Sequence, residues 1–222
     1  MIRSLEDEFK NTDFTPEFYE LNISKKHGIP PIEFKLKDGS VVTLNGVVDR
    51  VDVRKEKGKV YIRVVDYKTG PKKFSVNDIK NGLNLQLLIY LFTLCRKESS
   101  LADTLNADEL LPAGASYLSA SLSSISYSSL PSDETVIDDA LASINRSGFT
   151  IDARDGSGNK STVDFGEDEF DSLRSQLDET VIRIAEEMRS GEVSALPYLD
   201  GKSPCNFCKM ASVCRRAQKS KW

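Results

Sequence analysis

The chain lacks any apolar run approaching the ~20 residues that a membrane-spanning helix needs. Its opening stretch, MIRSLEDEFK, is acidic and has no apolar core of the kind a secretion signal requires. These two absences lead us to expect a cytoplasmic protein with no membrane partner. A net positive charge is missing too. Thirty Lys and Arg stand against 34 Asp and Glu, a balance of −4, so the chain as a whole has no polyanion-binding signature. Cysteine is scarce, with four in 222 residues, but a chain of this length with 39% hydrophobic residues buries a substantial core without disulfides. One domain, or one domain with an appendage, is expected.

What is present is uneven. Residues 199–222 carry Lys202, Lys209, Arg215, Arg216, Lys219 and Lys221 against the single acid Asp200, while residues 164–171, DFGEDEFD, are strongly acidic. A local basic tail bears on polyanion binding more than the total charge does, although a solvated terminus has the same composition. Three of the cysteines, Cys205, Cys208 and Cys214, fall within ten residues. In a reducing compartment that clustering points to metal binding rather than disulfides.

Along the chain, residues 1–23 read as mixed and partly helical, broken at Pro16. IEFKL, KDGS and VVTLNGVVDRVDV read as strand, turn and strand, with Asp38-Gly39 as a hairpin signal. RKEKGK is a second turn at Gly58, and VYIRVVDYKTG a further strand ended by Gly70-Pro71. Residues 32–70 are therefore expected to form an antiparallel meander. Residues 79–97 are apolar nearly all round from Leu83 to Cys95, the pattern of a buried helix. Residues 113–127 read as a strand, 134–144 as a short helix, and the Gly- and Asp-rich stretch after them as a loop. FDSLRSQLDETVIRIAEEMRSGE is an amphipathic helix with Leu173, Leu177, Val181, Ile184 and Met188 as its buried stripe and Gly191 at its end.

One strand carries chemistry. In VVDYKTG, side-chain alternation puts Asp66 and Lys68 on one face and Tyr67 on the other. GVVDRVD lies one turn upstream, so Asp49 is expected to approach Asp66 and Lys68. Two close carboxylates repel, and burying them is costly. A divalent cation resolves the conflict, and Mg²⁺ favours one or two carboxylates plus water and phosphate. A lysine beside it serves to orient or deprotonate an attacking water, or to stabilise charge on a phosphate. Two acids and a lysine thus suit phosphodiester hydrolysis. The plainer alternative is a structural Asp–Lys pair at a strand edge. Against it stand Gln86 and Tyr90, four residues apart and hence on one helix face. Gln86 is a polar insertion in an apolar run and needs a partner.

GVVDRVD, VVDYKTG and GLNLQLLIYL, in that order, resemble the PD-(D/E)XK nuclease superfamily. More narrowly they resemble the RecB/AddB-type exonuclease domain of bacterial helicase–nucleases. PCNFCKMASVCRR, with its Cys-x₂-Cys-x₅-Cys spacing, also matches, and the likeness covers residues 17–96 and 197–216. The resemblance implies an α/β fold of the restriction-endonuclease-like type, a mixed central sheet with an antiparallel meander flanked by helices. It implies a nuclease domain over residues 1–196, lacking its N-terminal helix, and a basic cysteine-containing tail over 197–222. Asp49 and Asp66, with the backbone carbonyl of Tyr67, would ligate Mg²⁺ or Mn²⁺, and Lys68 would serve the nucleophilic water. Gln86 and Tyr90 match a Q-x-x-x-Y motif near the active site and DNA. Arg50 and Asp52 match as well, but alternation sends them to the other face, as a structural ion pair.

The implied partners are DNA and a helicase or helicase–nuclease subunit, and the implied role is double-strand-break processing. Cys205, Cys208 and Cys214 would hold a 4Fe–4S cluster that pins the end of the domain to its start. The fourth cysteine of the family lies upstream of the nuclease motifs, and here no cysteine precedes Cys95, which reads as packing. The cluster is therefore expected to be absent or incomplete in this chain. The family also places a His or Glu on a helix before the meander. His27 sits in the Gly/Pro-flanked SKKHGIPP and reads as an exposed turn residue; Glu20 is the other candidate. Both departures are N-terminal, which suggests the C-terminal part of a larger protein, nearly inactive alone as a nuclease. A catalytically silent DNA-binding or scaffolding module and a Cas4-like nuclease are the rival readings.

Overall fold

The computed structural model describes residues 9–10, 12–26, 28–70, 72–96, 99–119, 146–151, 162–192, 205 and 208–214. The expected helix at 134–144, the loop after it, residues 120–127 of the expected strand, His27 and most of the basic tail lie outside these residues.

Among the described residues, six strands form one mixed sheet in the order β1-β4-β5-β6-β7-β8. They are β1 (Thr15–Ile23), β4 (Gly46–Glu56), β5 (Lys59–Lys68), β6 (Glu109–Ser119), β7 (Arg146–Thr150) and β8 (Thr162–Asp164). β1–β4, β4–β5 and β6–β7 are antiparallel, whereas β5–β6 and β7–β8 are parallel. β2 (Glu33–Lys35) and β3 (Val41–Thr43) form a separate two-stranded hairpin.

The meander expected over 32–70 is thus corrected. β4 leaves the hairpin and pairs with β1, a segment whose reading as partly helical is also corrected. Pro16 does not break β1, because an edge strand needs no ladder donor on its outer side. Both expected turns are present. Gly39 takes φ 82, and Lys57 and Gly58 take φ 49 and φ 81, the positive pair that a two-residue hairpin turn favours.

The parallel β5–β6 connection runs through α1 (Val76–Lys80), α2 (Gln86–Leu94) and α3 (Leu101–Leu105). The single helix expected over 79–97 is therefore two helices with a break. Gly82 (φ 74) and Asn84 (φ 56) adopt left-handed backbone between them, and Asn81 and Gly82 close α1 by donating to Asp78 and Ile79 carbonyls. A Cβ on Gly82 would stand 2.6 Å from Ile184 Cδ1, so the break is also a close packing point.

α4 (Glu167–Arg189) runs to Gly191 at φ 74. Its acidic start satisfies its own end, with Glu169 accepting from the Gly166 amide at 3.0 Å. Leu173, Leu177 and Val181 are buried as expected, joined by Phe170 and Ala185, but Met188 is 76% exposed and leaves the stripe. A short turn, α5 (Ala211–Cys214), follows among the cysteines.

Helices α2 and α4 pack on one sheet face. Leu87, Leu91 and Leu94 meet Val51, Val64, Ala115 and Tyr117 in one core, and Phe92 stacks on Phe170 at 4.8 Å. The other face buries charge. Asp52, fully buried, accepts from Arg50 Nη2 at 2.9 Å and from Arg63 Nη2 at 2.8 Å. Arg50 Nη1 also donates to the Tyr67 hydroxyl at 2.9 Å, and Arg63 lies 4.7 Å from the Phe14 ring centroid. The Arg50–Asp52 pair read from alternation is therefore a triad. Asp52→Ala would leave two buried guanidinium groups without their counter-charge and should cost about 3–5 kcal/mol. Urea denaturation checks this; an unchanged midpoint would mean other groups hold those arginines.

Candidate active site

The site lies where β4 and β5 part. Their pairing runs from Glu56↔Lys59 to Arg50↔Val65 and stops. Beyond that point β4 stays with β1 as far as Gly46, and β5 stays with β6 as far as Lys68. One more step of the same register would set Asp49 opposite Asp66, and like charges directly opposite destabilise an antiparallel pair. The strands instead open into a fork. Tyr67, having lost its ladder partner on β4, donates its amide to Asp49 Oδ2 at 2.7 Å.

Asp66 and Lys68 share a face as alternation requires, with Tyr67 on the other. Lys68 Nζ lies 2.5 Å from Asp66 Oδ2 and donates to Gln86 Oε1 at 3.1 Å. Gln86 Nε2 donates in turn to the Tyr90 hydroxyl at 3.1 Å. This line is possible because α2 begins at Gln86. The residue is the first of a helix aimed at the fork, not an insertion inside a longer one. Tyr90 reaches β4 at Gly46, where a Cβ would stand 2.8 Å from the tyrosine hydroxyl.

Electrostatics follow from that packing. Asp66 is 1% exposed, and burial raises its carboxyl above the ordinary value; Lys68 opposes this, the Asp49 charge adds to it, and Lys72 opposes it. The Tyr117 hydroxyl, in register with Asp66 on β6, is raised by burial and by the same carboxylate. Lys68 and Lys72 sit 5.7 and 5.9 Å from the Tyr117 ring centroid. Sequence reasoning missed both Tyr117 and Lys72. No local pattern carries the β5–β6 register, and the Lys72-Lys73 doublet reads as a solvated turn.

Other expected residues lie elsewhere. Glu20 is exposed on β1 with φ 52. Cys95 packs against the core, and burial pushes its thiol up, away from the thiolate a metal needs. Cys208 donates its amide to the Cys205 carbonyl at 3.3 Å, and Cys208 and Cys214 are exposed. No group of three His, Cys, Asp or Glu side chains suited to a metal occurs among the described residues. A cleft of about 680 Å³, lined by Lys25, Pro30, Pro31, Arg96 and Arg174 among others, opens past the far end of α2 and contains none of the fork residues. No helix among the described residues is long and apolar enough to cross a membrane.

The family model of the PD-(D/E)XK nuclease superfamily matches residues 1–215, and the chain belongs to that superfamily. It is 29% identical to a subunit of an ATP-dependent helicase/deoxyribonuclease from Clostridium acetobutylicum, over 96% of this chain and 20% of that protein. Subunits of the same description from Thermoanaerobacter sp. and Clostridium botulinum are 32% and 31% identical, over 95% and 94% of the chain and 20% of each relative. The chain thus spans about a fifth of the length of these curated relatives. The mixed sheet with flanking helices agrees with the superfamily's nuclease fold.

Two measurements check the geometry. Asp66, being raised, contributes most to stability below its ordinary value of 3.8, and that contribution is lost as pH rises through the higher folded value. In a carboxyl-carbon NMR titration, Asp49→Asn should move the Asp66 midpoint down, because one repelling charge is gone; no movement would place the two carboxyls too far apart to interact. Gly46→Ala should displace the Tyr90 ring and lower the denaturation midpoint, whereas an unaltered Tyr90 environment by NMR would refute the close approach.

Proposed function

We propose that the fork is the active site of a metal-dependent deoxyribonuclease, working within a helicase–nuclease that processes broken DNA ends. The observation that carries this reading is the pair of carboxylates, Asp49 and Asp66, held at the parting of β4 and β5 beside the Lys68 ammonium. Relatives described as helicase/deoxyribonuclease subunits support the biological setting.

The donor set suits a hard cation. Asp66 is buried and repelled by Asp49, a conflict that a divalent ion relieves. Asp49, Asp66 and the Tyr67 carbonyl would hold Mg²⁺ or Mn²⁺, with water completing the shell. When bound, such an ion polarises the phosphodiester and acidifies a water. The chain's own groups do the rest. Asp49 ties the Tyr67 backbone to β4 and fixes the carbonyl next to it. Lys68 is held against Asp66 and Gln86. Of its three N–H groups, one faces Asp66 and one Gln86, which leaves one for a water or a phosphate oxygen. Gln86 and Tyr90 keep that ammonium from swinging away.

The cysteines extend the proposal. Cys205, Cys208 and Cys214 offer three soft donors, suited to an iron–sulfur cluster that takes a fourth ligand from elsewhere. Residues 197–222 would then be a clamped tail on a nuclease domain of 1–196. Iron and acid-labile sulfide content tests that part by itself.

For the site, the natural polypeptide carrying these residues should degrade DNA with Mg²⁺ or Mn²⁺. Asp66→Ala and Lys68→Ala should each lower kcat by about 10²-fold or more while leaving DNA affinity largely intact. Added Mg²⁺ should also shift the Asp66 midpoint downward, a readout independent of turnover. Parental cleavage by Lys68→Ala sinks the catalytic assignment. DNA binding without cleavage in the parent would leave a binding module in its place.

A further inference from the structure

We infer that Lys72 is a substrate-holding residue of this site, gripping a nucleic-acid backbone phosphate next to the one that is cut; this rests on the nuclease reading above. Lys68 is committed to Asp66 and Gln86. Lys72 is not. It stands over the Tyr117 ring at 5.9 Å, close enough for its charge to act on the Asp66 carboxyl, yet it makes no ion pair among the described residues. It is half-buried, so its stem is packed while its charge borders the site.

The stretch that carries it is anchored at both ends. Lys68 closes β5, in register with Ser119. Phe74, two residues past Lys72, is buried, donates its amide to the Ser147 hydroxyl at 2.8 Å, and packs 4.9 Å from Phe149. Such anchoring sets the ammonium before substrate arrives, which reduces the ordering cost of binding. A cation that acts on Asp66 without an ion pair among the described residues is available to a phosphate of a polyanion. Lys73, one residue on, is exposed and makes none of these contacts.

The experiment measures binding of a fluorescein-labelled oligonucleotide by anisotropy, without divalent metal, across a salt series, alongside steady-state cleavage with Mg²⁺. Lys72→Gln should weaken binding about 3–10-fold near 0.1 M salt and lower the log K against log salt slope by about 0.7–0.9. KM should rise by the same factor with kcat within about twofold of the parent, the signature of lost uniform binding. Lys72→Arg should restore both values, and Lys73→Gln should do less than half as much. An unchanged salt slope in Lys72→Gln, equal effects at Lys72 and Lys73, or a collapse of kcat at constant KM would each overturn the assignment. A parent that neither binds nor cuts DNA overturns the nuclease reading and this inference with it. A parent that does both while Lys72→Gln is indistinguishable from it overturns the inference alone.

Discussion

The separation of β4 from β5 after Arg50↔Val65 is the constraint on which the rest of the site depends. A closed ladder would pair Tyr67's amide with backbone and force Asp49 against Asp66. Opening it converts a repulsive cross-strand pair into two carboxylates lining a gap. It costs one inter-strand hydrogen bond, and Asp49 replaces that bond by accepting from Tyr67. On the face that α2 covers, Gln86 meets Lys68 and Tyr90 meets Gly46. Each strand keeps its outer neighbour, so the fork is rigid on both sides.

The opposite face explains how so short a β4–β5 ladder holds. There Asp52 binds Arg50 on its own strand and Arg63 across the ladder, just behind the fork, and Arg50 reaches on to the Tyr67 hydroxyl. Tyr67 is therefore gripped twice, by its amide from Asp49 and by its hydroxyl from Arg50. The period-two alternation of one strand puts the fork acid Asp49 and the buried Arg50 at consecutive positions on opposite faces. Low-dielectric packing around the triad strengthens its ion pairs, and the rings of Phe14 and Tyr67 lie against the Arg63 and Arg50 guanidinium groups.

Much of this is legible in the sequence because it is local. Alternation in VVDYKTG fixes which side chains share a face, the Asp-Gly and Lys-Gly turns mark both hairpins, and the 3.6-residue period marks α4. Three kinds of fact are not legible. Strand pairing is non-local, so composition misleads about β1, the partner of β4, and Tyr117's place beside Asp66 follows only from the β5–β6 register. Helix breaks inside apolar runs depend on left-handed backbone at Gly82 and Asn84, which uniform hydrophobicity hides. Met188 fits the period of α4 yet is exposed, on the last turn, where Glu186 and Arg189 pair with Lys37 and Asp38 of the hairpin turn.

The charge balance of the fork bears on how a chain with net negative charge could take the polyanion proposed for it. Asp49 and Asp66 are offset by Lys68 and Lys72, so without a cation the site is near neutral, and the raised carboxyl of Asp66 shows the strain of keeping its acids charged. A divalent ion held there, as proposed, would add two positive charges to that neutral frame and relieve the Asp49–Asp66 repulsion. On the proposed reading, the fork would favour a phosphodiester more strongly with the ion bound, while Lys72 contributes a positive charge with or without it. Binding and chemical competence would thereby be coupled through one ion, and the anchoring of Lys72 between β5 and the buried Phe74 would hold its ammonium ready for a neighbouring phosphate.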